Sequence, residues 1–194
     1  MSETSYEPVT PLLGAISEGA LSVRDAGPTG MIAVRGDLTD PGFTGPVSAL
    51  AGCALPGVWR ASGHGGRELL WMAPDELLLL MPYGEPRLAA PTLQAEFDRQ
   101  GVHALVHDVS DMRVRLIVEG THMREALARL TPADVSPAAL PPGSLRRTRI
   151  AQVAAALRIV SEEQAEVLCF RSVADYAFRL LGGAARNAPD FEYF

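Results

Sequence analysis

Three observations predict an α+β fold, with a mixed or antiparallel sheet and packed helices. Strand-like and helix-like segments alternate along the 194 residues without a regular βαβ rhythm. Residues 77–80 are four consecutive leucines, and an apolar run with no polar alternation fits a strand covered on both faces. Residues 107–130, HDVSDMRVRLIVEGTHMREALARL, read as a polar turn, a strand, a second turn and an amphipathic helix.

Taken in order, residues 1–12 read as a flexible or partner-bound tail, 13–183 as one domain and 184–194 as a C-terminal contact tail. Residues 16–25 are ambiguous, whereas 31–34, between Gly30 and Gly36, form a short strand. A turn-rich stretch covers 36–46, and a short helix at 47–50 stops at Gly52. Strands at 68–72 and 77–81 flank a Pro74-Asp75-Glu76 turn. A helix over 89–100 carries Leu93 and Phe97 on one face and ends at Gly101.

In the strand at 113–119, Val114, Leu116 and Val118 share one face, and Arg113, Arg115, Ile117 and Glu119 the other. The following helix turns Met123, Ala126, Leu127 and Leu130 inward, and Arg124, Glu125 and Arg129 outward, until Thr131-Pro132 ends it. A loop spans 134–148, and strands at 149–159 and 165–171 pair across a turn at 161–164. The last helix begins at Ser172 as its cap, with Asp175 near the positive end. Val173, Tyr176, Ala177 and Leu180 form its inner stripe, and Gly182-Gly183 closes it.

Composition narrows the function classes. Apolar residues make up 47% and charged residues 21%, which fits an ordered globular chain. The net charge of −6 and the absence of a long cationic run argue against nucleic acid; Arg146-Arg147-Thr148-Arg149 reads as a hinge or solvated turn. Two cysteines, Cys53 and Cys169, are too few for a disulfide scaffold and fit a reducing compartment. No signal peptide is recognisable, and the longest apolar run, residues 77–82, is far short of a membrane span, so a cytoplasmic location without membrane contact is expected.

Catalytic chemistry finds little support. Asp108 and Asp111 flank Ser110 before a strand and, with Arg113, could hold a polar ligand or a metal; such a turn more often caps backbone N–H groups and pairs with arginine. Asp75 reads the same way. His64, His103, His107 and His122 form no zinc-binding pattern, and neither cysteine has an identifiable base. Neither glycine pair, Gly65-Gly66 or Gly182-Gly183, belongs to a nucleotide-binding motif.

The ordered motifs resemble a known family. Residues 66–79, GRELLWMAPDELLL, carry a glycine/arginine, tryptophan, proline-aspartate and leucine signature. It continues through residues 108–113, the strand to Glu119-Gly120, the helix at 124–130, Pro142-Gly143, Arg147-Thr148 and residues 171–176. This set resembles the gamma subunit of heterotetrameric sarcosine oxidase across most of residues 65–182; a departure is Leu130-Thr131-Pro132, where the family tends to have Gly-Cys-Pro.

The resemblance implies a fold like the tetrahydrofolate-binding aminomethyltransferase of glycine cleavage. It also implies three partners: an alpha subunit with FAD and NAD, a beta subunit with FAD and FMN, and a small zinc-binding delta subunit. That complex demethylates sarcosine oxidatively to glycine, reduces oxygen to hydrogen peroxide and can pass the one-carbon unit to tetrahydrofolate. No catalytic, cofactor or metal residue carries over to this chain. Trp71, Asp75, Asp108, Asp111, Arg113, Arg171, Tyr193 and Phe194 are expected as structural or interface positions. The alternatives are a stand-alone folate-binding methyltransferase-like protein, a subunit acting on another N-methyl amino acid, and an unrelated interaction domain.

Overall fold

The computed structural model describes residues 7–187. Eleven strands and four helices follow one another as β1 Ile16–Ser17, β2 Ser22–Asp25, β3 Gly30–Gly36, α1 Pro41–Ala51, β4 Ala61–His64, β5 Arg67–Ala73, β6 Glu76–Met81 and α2 Pro86–Gln100; then β7 Ala104–Asp108, β8 Arg113–Glu119, α3 Met123–Ala128, β9 Leu145–Ile150, β10 Val153–Ser161, β11 Gln164–Phe170 and α4 Ala174–Arg186. They build two sheets, ordered β1-β2-β8-β11-β10-β9 and β4-β5-β6-β3-β7. Every strand pair is antiparallel, so the fold is α+β without a parallel component.

Three apolar clusters stack these elements into four layers. The first joins the six-stranded sheet to α3 and α4, and the second joins the five-stranded sheet to α1 and α2, where Phe43 stacks on Phe97. The third lies between the sheets, with Met31, Leu70, Leu78 and Leu80 against Leu145, Ala156 and Leu168. The leucine run is thus divided: Leu77 and Leu79 face the helices, and Leu78 and Leu80 face the other sheet. That division explains why no polar residue interrupts it.

Local chemistry sets several boundaries. Asp40 accepts from the Gly42 N–H at the start of α1, so the helix begins inside the expected turn region, with Pro41 in its first turn. Gly101 ends α2 in the left-handed conformation as its position predicts. The ambiguous residues 16–25 form the hairpin of β1 and β2. The expected strand 149–159 is instead two strands, folded at Ala151, whose φ is 48°. The end of the expected loop, residues 145–148, and the whole expected hinge at Arg146–Arg149 therefore belong to β9.

Four expectations about the helices are corrected. Arg124 and Glu125 are buried, not outward, and the loop at 134–144 covers Arg124. Arg124 donates to the carbonyls of Val135 (2.7 Å) and Leu140 (3.0 Å) and reaches Glu162 at 3.3 Å. Ser172 makes no capping hydrogen bond, since the chain enters α4 through a 3-10 turn at Arg171–Val173. The buried stripe of α4 is Ala174, Ala177, Leu181, Ala184 and Ala185, while Tyr176 is exposed. Nor does Gly182-Gly183 end the helix: it continues to Arg186, and Gly182 sits where a Cβ would meet Ser17 Oγ at 2.9 Å. Gly182 thus serves close packing against β1.

Thr10 donates to the Asp25 carboxylate, the Gly14 N–H also bonds it, and Leu12 packs on the first cluster. Of the expected contact tail, residues 184–186 lie in α4 and those from 188 onward lie outside the described residues. Replacing Arg124 by Met leaves two buried carbonyls without a charged donor and should cost about 2–4 kcal/mol in chemical denaturation, against about 0.5 kcal/mol or less for Arg179→Met on exposed α4 surface.

Candidate functional site

Two neighbouring features occupy the space between the sheets: a buried ionic lattice and a cationic cleft. In the lattice, Arg158 of β10 forks onto Glu68 of β5, with both nitrogen–oxygen distances 2.7 Å. Its Nη1 also reaches Glu166 at 3.4 Å, and Arg115 stands 3.8 Å from Glu68 and 3.9 Å from Glu166. Register explains the gathering: Arg158 pairs with Glu166 across β10 and β11, while Glu68 comes from the facing sheet. The hydrogen bond from Arg158 holds the Glu68 carboxyl below its ordinary range despite partial burial. Burial works against the charge on Arg158, yet its bonds to Glu68 and the attraction of Glu166 raise its pKa.

The cleft, about 280 Å³, has Ala154, Ala155 and Ala156 at its base and Arg113, Arg147, Met72 and Phe170 around it. Arg113 lies over the Phe170 ring, 5.1 Å from its centroid. Burial pushes the Arg113 guanidinium pKa down; Glu76 opposes that shift and Arg147 adds to it. Behind it, burial pushes the Cys169 thiol up to about 11, with Arg113 pulling the other way, so the thiol stays protonated and unreactive at neutral pH.

Of the expected positions only Arg113 lines this cleft; Asp111 and Arg171 share a separate small pocket with Arg113, and Asp108 lines another hollow. Asp108 accepts from the Ser110 N–H and hydroxyl, and the same hydroxyl accepts from the Met31 N–H, as a turn cap does. Asp111 does not cap the turn; it accepts from Tyr83 at 2.8 Å, raising the phenol pKa, and stands 3.9 Å from Arg171. Arg171 also donates to the Val9 carbonyl. Arg113 pairs with neither aspartate. Trp71 lies apart on the helix-facing side of its sheet, and Asp75 pairs with Arg35 at 3.2 Å. Tyr193 and Phe194 lie outside the described residues.

Glu68, Arg115, Arg158 and Glu166 were missed as a unit. Their signal was charge at inward-facing strand positions, visible only once the strands are paired. Among the described residues, no group of three or more His, Cys, Asp or Glu side chains could hold a metal, and no helix is long and apolar enough to cross a membrane. A larger apolar groove of about 680 Å³ runs between α1 and α2, bounded by the Arg67–Glu85 pair.

A family model described as "Sarcosine oxidase, gamma subunit family" matches residues 35–187. The chain belongs to this family. No curated protein matches its sequence. A chain of the heterotetrameric sarcosine oxidase from Corynebacterium sp. U-96, solved with pyrrole 2-carboxylate, superposes with a TM-score of 0.79 at 23% identity, covering 92% of this chain and 91% of that one. The glycine cleavage system aminomethyltransferase T from Bartonella henselae gives 0.60 at 18% identity, covering 93% of this chain and 54% of that one. These likenesses show the aminomethyltransferase-like fold expected for a gamma-family chain. The matched span contains both the ionic lattice and the cleft.

In this gamma-family chain the lattice makes stability pH-dependent. Because the Glu68 pKa is depressed on folding, its contribution is present above the unfolded carboxylate pKa and is lost as pH falls through the folded value. Glu68→Gln should lower stability at pH 7 by about 1–3 kcal/mol, reduced from a fully buried pair by solvent access, and the gap should close in denaturant titrations as pH falls below the ordinary carboxylate range through the depressed Glu68 value.

Proposed function

We propose that this chain is a noncatalytic structural subunit of a heterotetrameric sarcosine oxidase in the cytoplasm. That assembly converts sarcosine to glycine, yields hydrogen peroxide and passes the one-carbon unit to tetrahydrofolate. The observation that carries this reading is the family match over residues 35–187. The site geometry supports it: the strongest ion pair, Glu68 with Arg158, joins the two sheets rather than facing an open cavity.

Under this reading FAD, FMN, NAD, tetrahydrofolate and zinc belong to the alpha, beta and delta partners. This chain contributes surface, covering a flavin-bearing neighbour and stabilising the assembly. A complex acting on another N-methyl amino acid would use the chain in the same way.

The likeness to aminomethyltransferase T supports a second reading, a stand-alone folate-binding protein, although this chain spans about half of that enzyme. Co-expression of the tagged chain with the flavin-bearing subunits of its source organism separates the two. The proposal expects a co-eluting complex with visible flavin absorbance, and no tetrahydrofolate binding by the chain alone in calorimetry. A colourless monomer that binds tetrahydrofolate would instead establish the second reading.

A further inference from the structure

Four arginines keep a buried Nε without a hydrogen-bond acceptor: Arg113, Arg115, Arg124 and Arg158. Three of them bring terminal nitrogens to carboxylates, Arg115 and Arg158 toward Glu68 and Glu166, and Arg124 toward Glu162. Arg113 does not; among the described residues no carboxylate forms an ion pair with it. A partly buried guanidinium with no carboxylate in contact, and only the longer-range attraction of Glu76, is costly, and a carboxylate matching its planar fork would relieve that cost.

The surroundings favour a protein as the source of that carboxylate. Arg147, 57% exposed, shares the cleft with Arg113, donates to the Met72 carbonyl at 3.5 Å and has Glu76 at 3.7 Å. Exposed Arg149 stands opposite Ala154 at the same end of the sheet. In a chain of net charge −6, this is a local concentration of cations. Apolar surface adjoins it: Phe170 is 42% exposed, Met112 51% and Leu105 48%. Met112, next to Arg113 in the chain, also lines a second, apolar hollow of about 400 Å³ with Ala33 and Leu105. Arginine beside exposed aromatic and methionine surface is the composition of an interface centre.

We propose that this face docks a partner protein which inserts a carboxylate side chain, flanked by apolar residues, between Arg113 and Arg147. The proposal rests on the reading of the chain as an assembly subunit and names the surface that does the assembling. The Arg113 fork receives the carboxylate, Arg147 steers it inward, and Phe170, Met112 and Leu105 are covered by its apolar flanks.

The test measures binding of the full chain to the flavin-bearing subunits by interferometry across ionic strengths. Arg147→Glu, at an exposed position that spares the core, should raise Kd by about tenfold or more and flatten the salt dependence. Arg113→Met should act mainly through faster dissociation. Arg113→Lys, which keeps the charge and loses the fork, should fall between Arg113→Met and the unmodified chain. Arg179→Glu, on exposed α4 surface, should bind unchanged. If the unmodified chain binds and Arg147→Glu and Arg113→Met bind equally well, this docking face is overturned while the subunit role stands. If the unmodified chain does not bind, both fall. Free succinate that competes with the partner for the unmodified chain but not for Arg113→Met supports the seat. Succinate that saturates the cleft without disturbing partner binding overturns it in favour of a small-molecule site.

Discussion

The sandwich depends on a constraint between its sheets: Glu68 must be ionised, and Arg158 must be in register to receive it. The fork of two 2.7 Å contacts ties a strand of one sheet to a strand of the other. Around it the interface is apolar, so either charge alone would be poorly solvated and a slipped register would leave both unpaired. A geometry that couples the sheets this tightly also fixes where the cleft beside it opens. Function in this chain therefore begins as a packing problem.

The same arrangement divides the arginines. Arg115 and Arg158 are used within the fold, and Arg124 fastens the loop at 134–144. Arg113 stands on the same strand as Arg115, two residues away and on the same face, but beyond the reach of the lattice acids. The fold thus supplies one structural cation and one with no internal carboxylate from a single strand alternation. In a gamma-family chain proposed to act by binding neighbours, that leftover charge is a reasonable place for recognition to reside.

Much of the fold was legible before any coordinates. Residues 77–80 announced a strand buried on both faces, and the period change after Gly120 located β8 and α3. The errors share a cause, since local pattern does not reveal what lies across from it. Arg124 looked solvent-facing because its covering loop begins ten residues later. Ala151-Gln152 folds a hairpin without turn-forming residues, and Gly182-Gly183 resembled a helix end although Gly182 permits close packing. At the site, Arg113 and Asp108 were visible from the turn they flank. The Glu68 lattice was not, because its members lie up to 98 residues apart and meet only through strand pairing.

The most direct measurement is sarcosine turnover per flavin in partner subunits assembled with and without this chain, together with the thermal midpoint of each assembly. A structural role predicts that adding the chain raises the midpoint and the yield of assembled flavoprotein, while peroxide production per correctly assembled flavin stays constant. The chain alone should produce none. Peroxide formation by the isolated chain, or turnover per flavin that rises with its occupancy while the midpoint stays fixed, would contradict the account.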